Sequence, residues 1–192
     1  GGGLGSFKPE EVGPVSVQRA NGVIDCVVKD EQEGAALAKK LMGYFQGEIT
    51  DWTCEDQRWL RRAVPENRLH AYDMRHLINV FADTDSVVEL RPDFAPGMIT
   101  AFVRVEGRPL GLIANDPKVL GGAIDAAGAD KASRFMQLCD AFGVPMVSFC
   151  DTPGFMVGPE EEETAMVRHT CRMFVTAASL TVPLFSLVTR KG

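Results

Sequence analysis

Twice near the C-terminal end of the chain, a Val-Pro dipeptide opens an apolar run directly after a helix-like segment: Val144-Pro-Met-Val and Val182-Pro-Leu-Phe. Two such strands with a helical stretch between them need a crossover connection, and crossovers join parallel strands. The repeat therefore predicts an α/β chain whose helices are stacked on a sheet by right-handed crossovers. The first of these strands, Val144 to Cys150, breaks at Asp151-Thr152-Pro153-Gly154, a tight-turn sequence. Gly158-Pro159 and Glu160 to Glu163 then open a helix predicted to run from about Glu160 to Ala178. Proline suits the first helical position, and carboxylates there complement the positive end of the helix dipole. In open α/β sheets, ligands sit beyond the carboxyl ends of the strands. The backbone N–H groups of Gly154 and Phe155 are expected there to face a negatively charged oxygen. The same pattern also describes a plain βα turn that binds nothing.

Upstream, Val87 to Leu90 and Met98 to Val105 read as strands, and Glu106-Gly107-Arg108 turns the chain into a further strand, Pro109 to Ala114. A glycine in the turn between two such runs is a hairpin signature. Asn115-Asp116-Pro117 ends the hairpin, and Gly121-Gly122 marks a flexible loop. A helix follows over about Asp130 to Phe142, with Ala132, Phe135, Met136 and Cys139 on one face and Gly143 as its stop. Nearer the N-terminus, Val23 to Val28 reads as a strand. A helix then begins at Asp30, with Leu37, Ala38, Leu41, Met42 and Phe45 as its buried stripe and Gly47 closing it. Residues 48–71 carry Trp52 and Trp59 among charges and read as a connector with a short helix over 54–63. Tyr72 to Ala82 reads as an amphipathic helix burying Leu77, Ile78 and Phe81.

The net charge of -6 and the lack of a lysine or arginine stripe argue against a nucleic-acid surface. No run of 18 apolar residues occurs, so no membrane span is expected. Five cysteines without a C-x-x-C pair fit a reducing, cytoplasmic setting better than a disulfide framework or a zinc site. The glycine run at Gly1–Gly5 and the stop at Arg190-Lys191-Gly192, immediately after a strong strand, give both ends the look of cuts in a longer chain.

A side-chain catalyst is hard to find. There is no Gly-x-Ser-x-Gly elbow, His-Glu-x-x-His, phosphate loop or dinucleotide fingerprint. His70 and His76 lack metal-ligand spacing on one helix face. His169 reads as a helix-surface or interface residue, and Glu160 to Glu163 point in different directions around a helix start. No metal site is expected. Chemistry resting on backbone donors and a carried cofactor fits this pattern, and a reaction through a thioester enolate suits it, because two preorganised N–H groups stabilise that oxygen by several kcal/mol.

Arg104-Val-Glu-Gly-Arg-Pro-Leu-Gly-Leu-Ile-Ala-Asn115, Asp130-Lys-Ala-Ser-Arg-Phe135, Cys139-Asp-Ala-Phe142, Asp151-Thr-Pro-Gly-Phe155 and Thr189-Arg-Lys191 occur in series. Together they resemble the carboxyltransferase component (beta-subunit type) of biotin-dependent acyl-CoA carboxylases, most strongly from Pro92 to Lys191. The resemblance implies a crotonase-like (ClpP/crotonase) fold of ββα units. Residues 1–46 would end the first half, 47–83 would form connector helices, and 84–192 would open the second half. It implies acyl-CoA as substrate and biotin brought by a carrier protein or biotin carboxylase partner. It also implies a homo-oligomer, a dimer or larger, with the site between opposite halves of two subunits.

In that family the carboxyl group passes from carboxybiotin to the enolate of the acyl-CoA, and paired backbone N–H groups hold each oxyanion. Carried over, Gly154 and Phe155 fall at the biotin-side pocket, with Met156 lining it and Asn115 at its rim. The family often has Asn-Gln-Pro where this chain has Asn115-Asp116-Pro117, which puts any amide role at 116 in doubt. Its second glycine loop belongs just past Lys191 and its acyl-CoA loop before Gly1, so these residues alone are expected to be inactive. A biotin-linked decarboxylase and a non-catalytic assembly module of the same fold remain alternatives, and the acyl chain is not fixed.

Overall fold

Five strands between residues 88 and 188 build one sheet in the computed structural model, which describes Gly3, residues 5–67 and residues 69–192. Gly1, Gly2 and Leu4 of the glycine run and Arg68 of the connector lie outside the described residues. The strands are β1 (Val88–Leu90), β2 (Met98–Val105), β3 (Arg108–Asn115), β4 (Met146–Cys150) and β5 (Leu184–Val188), side by side in chain order. β1, β2 and β3 pair antiparallel, whereas β3, β4 and β5 pair parallel. The hairpin between β2 and β3 turns through Glu106 and Gly107, both left-handed (φ 51° and 77°), as a two-residue turn matched to strand twist requires.

The helices are α1 (Val15–Ala20), α2 (Glu31–Gly43), α3 (Leu60–Ala63), α4 (Met74–Phe81), α5 (Ala126–Ala141), α6 (Pro159–Glu163) and α7 (Met166–Ala178). Alternation along the strands sends side chains to opposite faces. Met98, Phe102, Ile113 and Met146 meet Phe135, Met136 and Cys139 of α5, with Leu37 and Leu41 of α2 and Met173 of α7 beside them. Ile99, Ala101, Val103, Leu112, Val147 and Phe149 meet Met74, Leu77 and Ile78 of α4. The sheet is thus a middle layer, and both crossover connections run over the same face. This is the mixed α/β architecture expected, with antiparallel strands leading into parallel ones.

Four expectations need correction. Residues 23–28 form no strand: Asp25 O accepts from Arg91 N just past β1 and Cys26 Sγ reaches Glu89 O, but Arg91 (φ 55°) turns the chain away before a ladder forms. In α2, Ala38 and Met42 of the expected stripe are exposed; its half-buried Leu37, Leu41 and Phe45 make the contact, joined by the buried Tyr44. α5 begins at Ala126, earlier than expected, capped by Asp125 through Gly128 N. The helix expected over Glu160 to Ala178 is two helices, broken at Ala165 in the left-handed conformation (φ 57°). The outer strand β5 leaves large apolar groups uncovered, with Phe185 69% and Val188 64% exposed. Among the described residues no helix is long and apolar enough to cross a membrane.

Candidate active site

The carboxyl ends of the three parallel strands converge with two loops. Asn115 closes β3, Asp151 to Met156 follow β4, and Thr189 to Lys191 follow β5; the loop at 120–125, which leads into α5, lies against them. Strand register explains the meeting: Cys150 stands opposite Val188, so the two turns leave the sheet side by side. They are cross-tied by Thr189 N to Cys150 O (2.9 Å) and Thr152 N to Lys191 O (3.0 Å).

Ile124 bridges Phe155. Its N–H donates to Gly154 O at 3.0 Å, and its carbonyl accepts from Met156 N at 2.9 Å. In such a parallel bridge the flanking residues take both bonds, so the N–H of Phe155 is turned to the other side. No acceptor among the described residues meets it. Gly154 differs. Its N–H donates to Thr152 Oγ1 at 3.0 Å, and Thr152 Oγ1 donates to Gly154 O at 3.1 Å. Gly154 (φ 118°) therefore shapes the turn with a conformation L side chains rarely adopt, while Phe155 presents the outward donor. The Phe155 ring meets Phe174 of α7 edge-on, centroids 5.5 Å apart, and Met156 is half-buried beside it. Asn115 Oδ1 accepts from Asp151 N at 3.3 Å and supports the turn from behind.

Sequence reasoning gave no role to Gly122, Asp151, Arg190 or Tyr72, which hold this arrangement. Asp151 is fully buried and ion-paired with Arg190 at 3.1 Å. Tyr72, before α4, places its ring under the Arg190 guanidinium and pairs its hydroxyl with Thr189 Oγ1 at 2.9 Å. Burial pushes the Tyr72 phenol up to about 12. Lys191 reaches across to Gly121 O at 2.8 Å. A signal existed: the two Val-Pro openings put Asp151 and Arg190 at neighbouring strand ends with opposite charges.

The histidine rings take no part in these contacts. His169 pairs Nδ1 with Asp130 Oδ2 at 2.8 Å, joining α7 to α5, and Arg172 reaches the same carboxylate at 3.2 Å. His70 gives its carbonyl to Arg190 Nη1 at 2.7 Å. Among the described residues no group of three or more His, Cys, Asp or Glu is placed to hold a metal ion.

Residues 8–192 match the carboxyl transferase domain family. The chain belongs to that family. The domain is 55% identical to a single-chain, multi-domain long-chain acyl-CoA carboxylase of known structure, with a TM-score of 0.93 over 96% of this chain and 19% of that one. A transcarboxylase 12S structure, described as a hexamer with methylmalonyl-CoA and methylmalonic acid bound, is 30% identical with a TM-score of 0.83, over 95% of this chain and 38% of that one. The methylmalonyl-CoA decarboxylase subunit alpha of Veillonella parvula is 33% identical over 94% of this chain and 37% of its own length. The chain thus spans well under half of the proteins it matches.

Proposed function

We propose that this domain is part of the carboxyltransferase of a biotin-dependent acyl-CoA carboxylase, and that the turn at 152–156 lines the biotin side of its site. The carrying observation is the Phe155 N–H, held outward at the carboxyl end of β4 with no acceptor among the described residues. Such a preorganised donor stabilises negative charge developing on an oxygen. Biotin, carried by a partner carrier domain, supplies the carboxyl group when bound, and acyl-CoA receives it. The residues present suit that group: Phe155 offers the N–H, Gly154 leaves the approach free of a side chain, Met156 lines the wall and Asn115 fixes the strand end. No Cβ contact within 4 Å would arise at Gly154, which is consistent with open space there.

In the same reading residues 1–46 end one crotonase-like half, 47–83 connect, and 84–192 open the other, within a cytoplasmic homo-oligomer. The exposed apolar β5 agrees with further protein packing on that edge. The relationship to a decarboxylase subunit favours one second reading, the same half-reaction run towards release of CO2.

The test is carboxyl transfer from malonyl-CoA or methylmalonyl-CoA to free biotin by the full-length protein. Transfer from either supports the reading, and its absence with both and with a long-chain alkylmalonyl-CoA overturns it. CO2 release without transfer favours the decarboxylase.

A further inference from the structure

The tie between Asp151 and Arg190 is unusually enclosed. The Arg190 side chain is 8% exposed and the Asp151 side chain 0%. Removing two charges from water costs several kcal/mol per ion, so a buried pair of this kind is weak evidence of stabilisation. What it does provide is direction. A guanidinium is a planar fork of donors fixed relative to one another. Here Nε lies 3.3 and 3.1 Å from the two Asp151 oxygens, and Nη1 donates to His70 O at 2.7 Å. The guanidinium carbon lies 5.3 Å from the centroid of the Tyr72 ring.

Three segments far apart in sequence are joined through this one side chain: the connector at 70–72, the turn after β4, and the exit from β5. Each arm then continues into the candidate site. Asp151 leads directly to Thr152, Gly154 and Phe155. Thr189 holds both the Tyr72 hydroxyl and Cys150 O, and Lys191 O accepts from Thr152 N.

We propose that Asp151, Arg190 and Tyr72 form a positioning clamp through which the connector sets the separation of the Thr152–Met156 turn from the chain leaving β5. The clamp touches no reacting atom. It acts by holding the Phe155 N–H in place, and this role rests on the carboxyl-transfer reading above.

The test uses the full-length protein with Arg190→Lys, which keeps the charge but loses the fork, and Tyr72→Phe, which removes only the hydroxyl. Three readouts are taken: kcat and KM for malonyl-CoA in transfer to biotin, amide exchange of the peptides covering 152–156 and 189–192, and thermal midpoint. A displacement near 1 Å at a reacting centre costs about 10²-fold in rate. Arg190→Lys is therefore expected to lower kcat by about 10²-fold with KM within about twofold, and to speed exchange at 152–156. Tyr72→Phe should lower kcat by about threefold or more at an almost unchanged midpoint. A merely structural role would lower the midpoint and leave kcat per folded molecule alone. Folded Arg190→Lys with wild-type kcat and exchange overturns the clamp; if that variant does not fold, Tyr72→Phe decides by the same two readouts. Should the wild type transfer no carboxyl group, the functional reading falls. The exchange comparison still decides the clamp: faster exchange at 152–156 in the variants supports it, and equal exchange overturns it.

Discussion

Gly122 is pressed against the backbone of Asp151, so closely that a Cβ added to it would overlap the Asp151 carbonyl oxygen. It is also left-handed, with φ 87°, and it follows Leu120 and Gly121, which are left-handed as well. A side chain here must therefore move either the loop that carries Ile124 or the turn that carries Phe155, and these two are bridged. Gly122→Ala should cost about 2–4 kcal/mol, combining backbone strain with overpacking. Chemical denaturation of the variant checks the stability, and carboxyl transfer by the full-length protein checks whether the displaced turn also lowers kcat.

Asp116 is a framework residue. One of its oxygens accepts from Lys118 N at 3.0 Å, and the other is ion-paired with Arg75 of α4 at 2.6 Å. Arg75 also holds Glu89 of β1 through two bonds of 2.9 and 2.7 Å. Arg75 is partly exposed, so solvent screens its pairs, but its removal leaves both the buried Asp116 and the half-buried Glu89 uncompensated. Arg75→Met is expected to destabilise by about 2–3 kcal/mol. Asp116→Asn keeps one acceptor oxygen, for Lys118 N or for Arg75, and sets its NH2 against the other donor; with Arg75 still held by Glu89 it should cost about 1–2 kcal/mol. Equal losses in urea unfolding for the two variants would contradict this account.

Lys131 gives a pH dependence of definite sign. It lies in α5 with Nζ donating to Arg91 O and Phe94 O, each at 2.8 Å, and burial pushes its pKa down to about 8. The unfolded side chain titrates near about 10.4. Between these values the unfolded chain binds more protons, so stability rises with pH. The penalty for burying the ammonium is full below about pH 8 and is relieved by about 3 kcal/mol as pH approaches 10 and above. Lys131→Met should lack this slope while losing stability through the unpaired carbonyls. Unfolding free energies of both proteins between about pH 7.5 and 10 give the comparison; parallel curves would refute it.

The strands of this fold were legible because their sequence signals are local. Met98 to Val105 is a strand with the bounds the pattern suggests, and Gly107 marks the hairpin because only certain residues tolerate its turn. Where local signals ended, reading failed for identifiable reasons. Ala126 to Ala129 has no apolar period, since Ala and Gly provide packing space rather than a stripe, and the first turn of α5 went unnoticed. The break at Ala165 has no glycine or proline to announce it. Turn chemistry and resemblance point to the N–H groups of Gly154 and Phe155 alike; that the Gly154 N–H is used by Thr152 depends on a rotamer and leaves only Phe155 turned outward. Asp151 and Arg190 lie 39 residues apart in sequence, and only the register of β4 against β5 makes them neighbours.

The same long-range logic yields a last prediction. Gly111 in β3 faces α5, where a Cβ would run into Cys139 Sγ and stand 3.3 Å from the Phe135 ring. Cys139 is buried and its thiol is pushed up to about 12 by burial, so it behaves as a small apolar group. Gly111→Ala should therefore destabilise by about 1–3 kcal/mol through overpacking. Cys139→Ala alone leaves a small void and should cost about 1 kcal/mol. Because the clash is with the sulfur itself, the double variant should be more stable than the sum of the two losses implies, by about 1 kcal/mol or more. A double-mutant cycle in urea measures that coupling. Simple additivity would mean that the strand, rather than the sulfur, is what resists a side chain at 111, and the close approach of β3 to α5 would then not be the reason for the glycine.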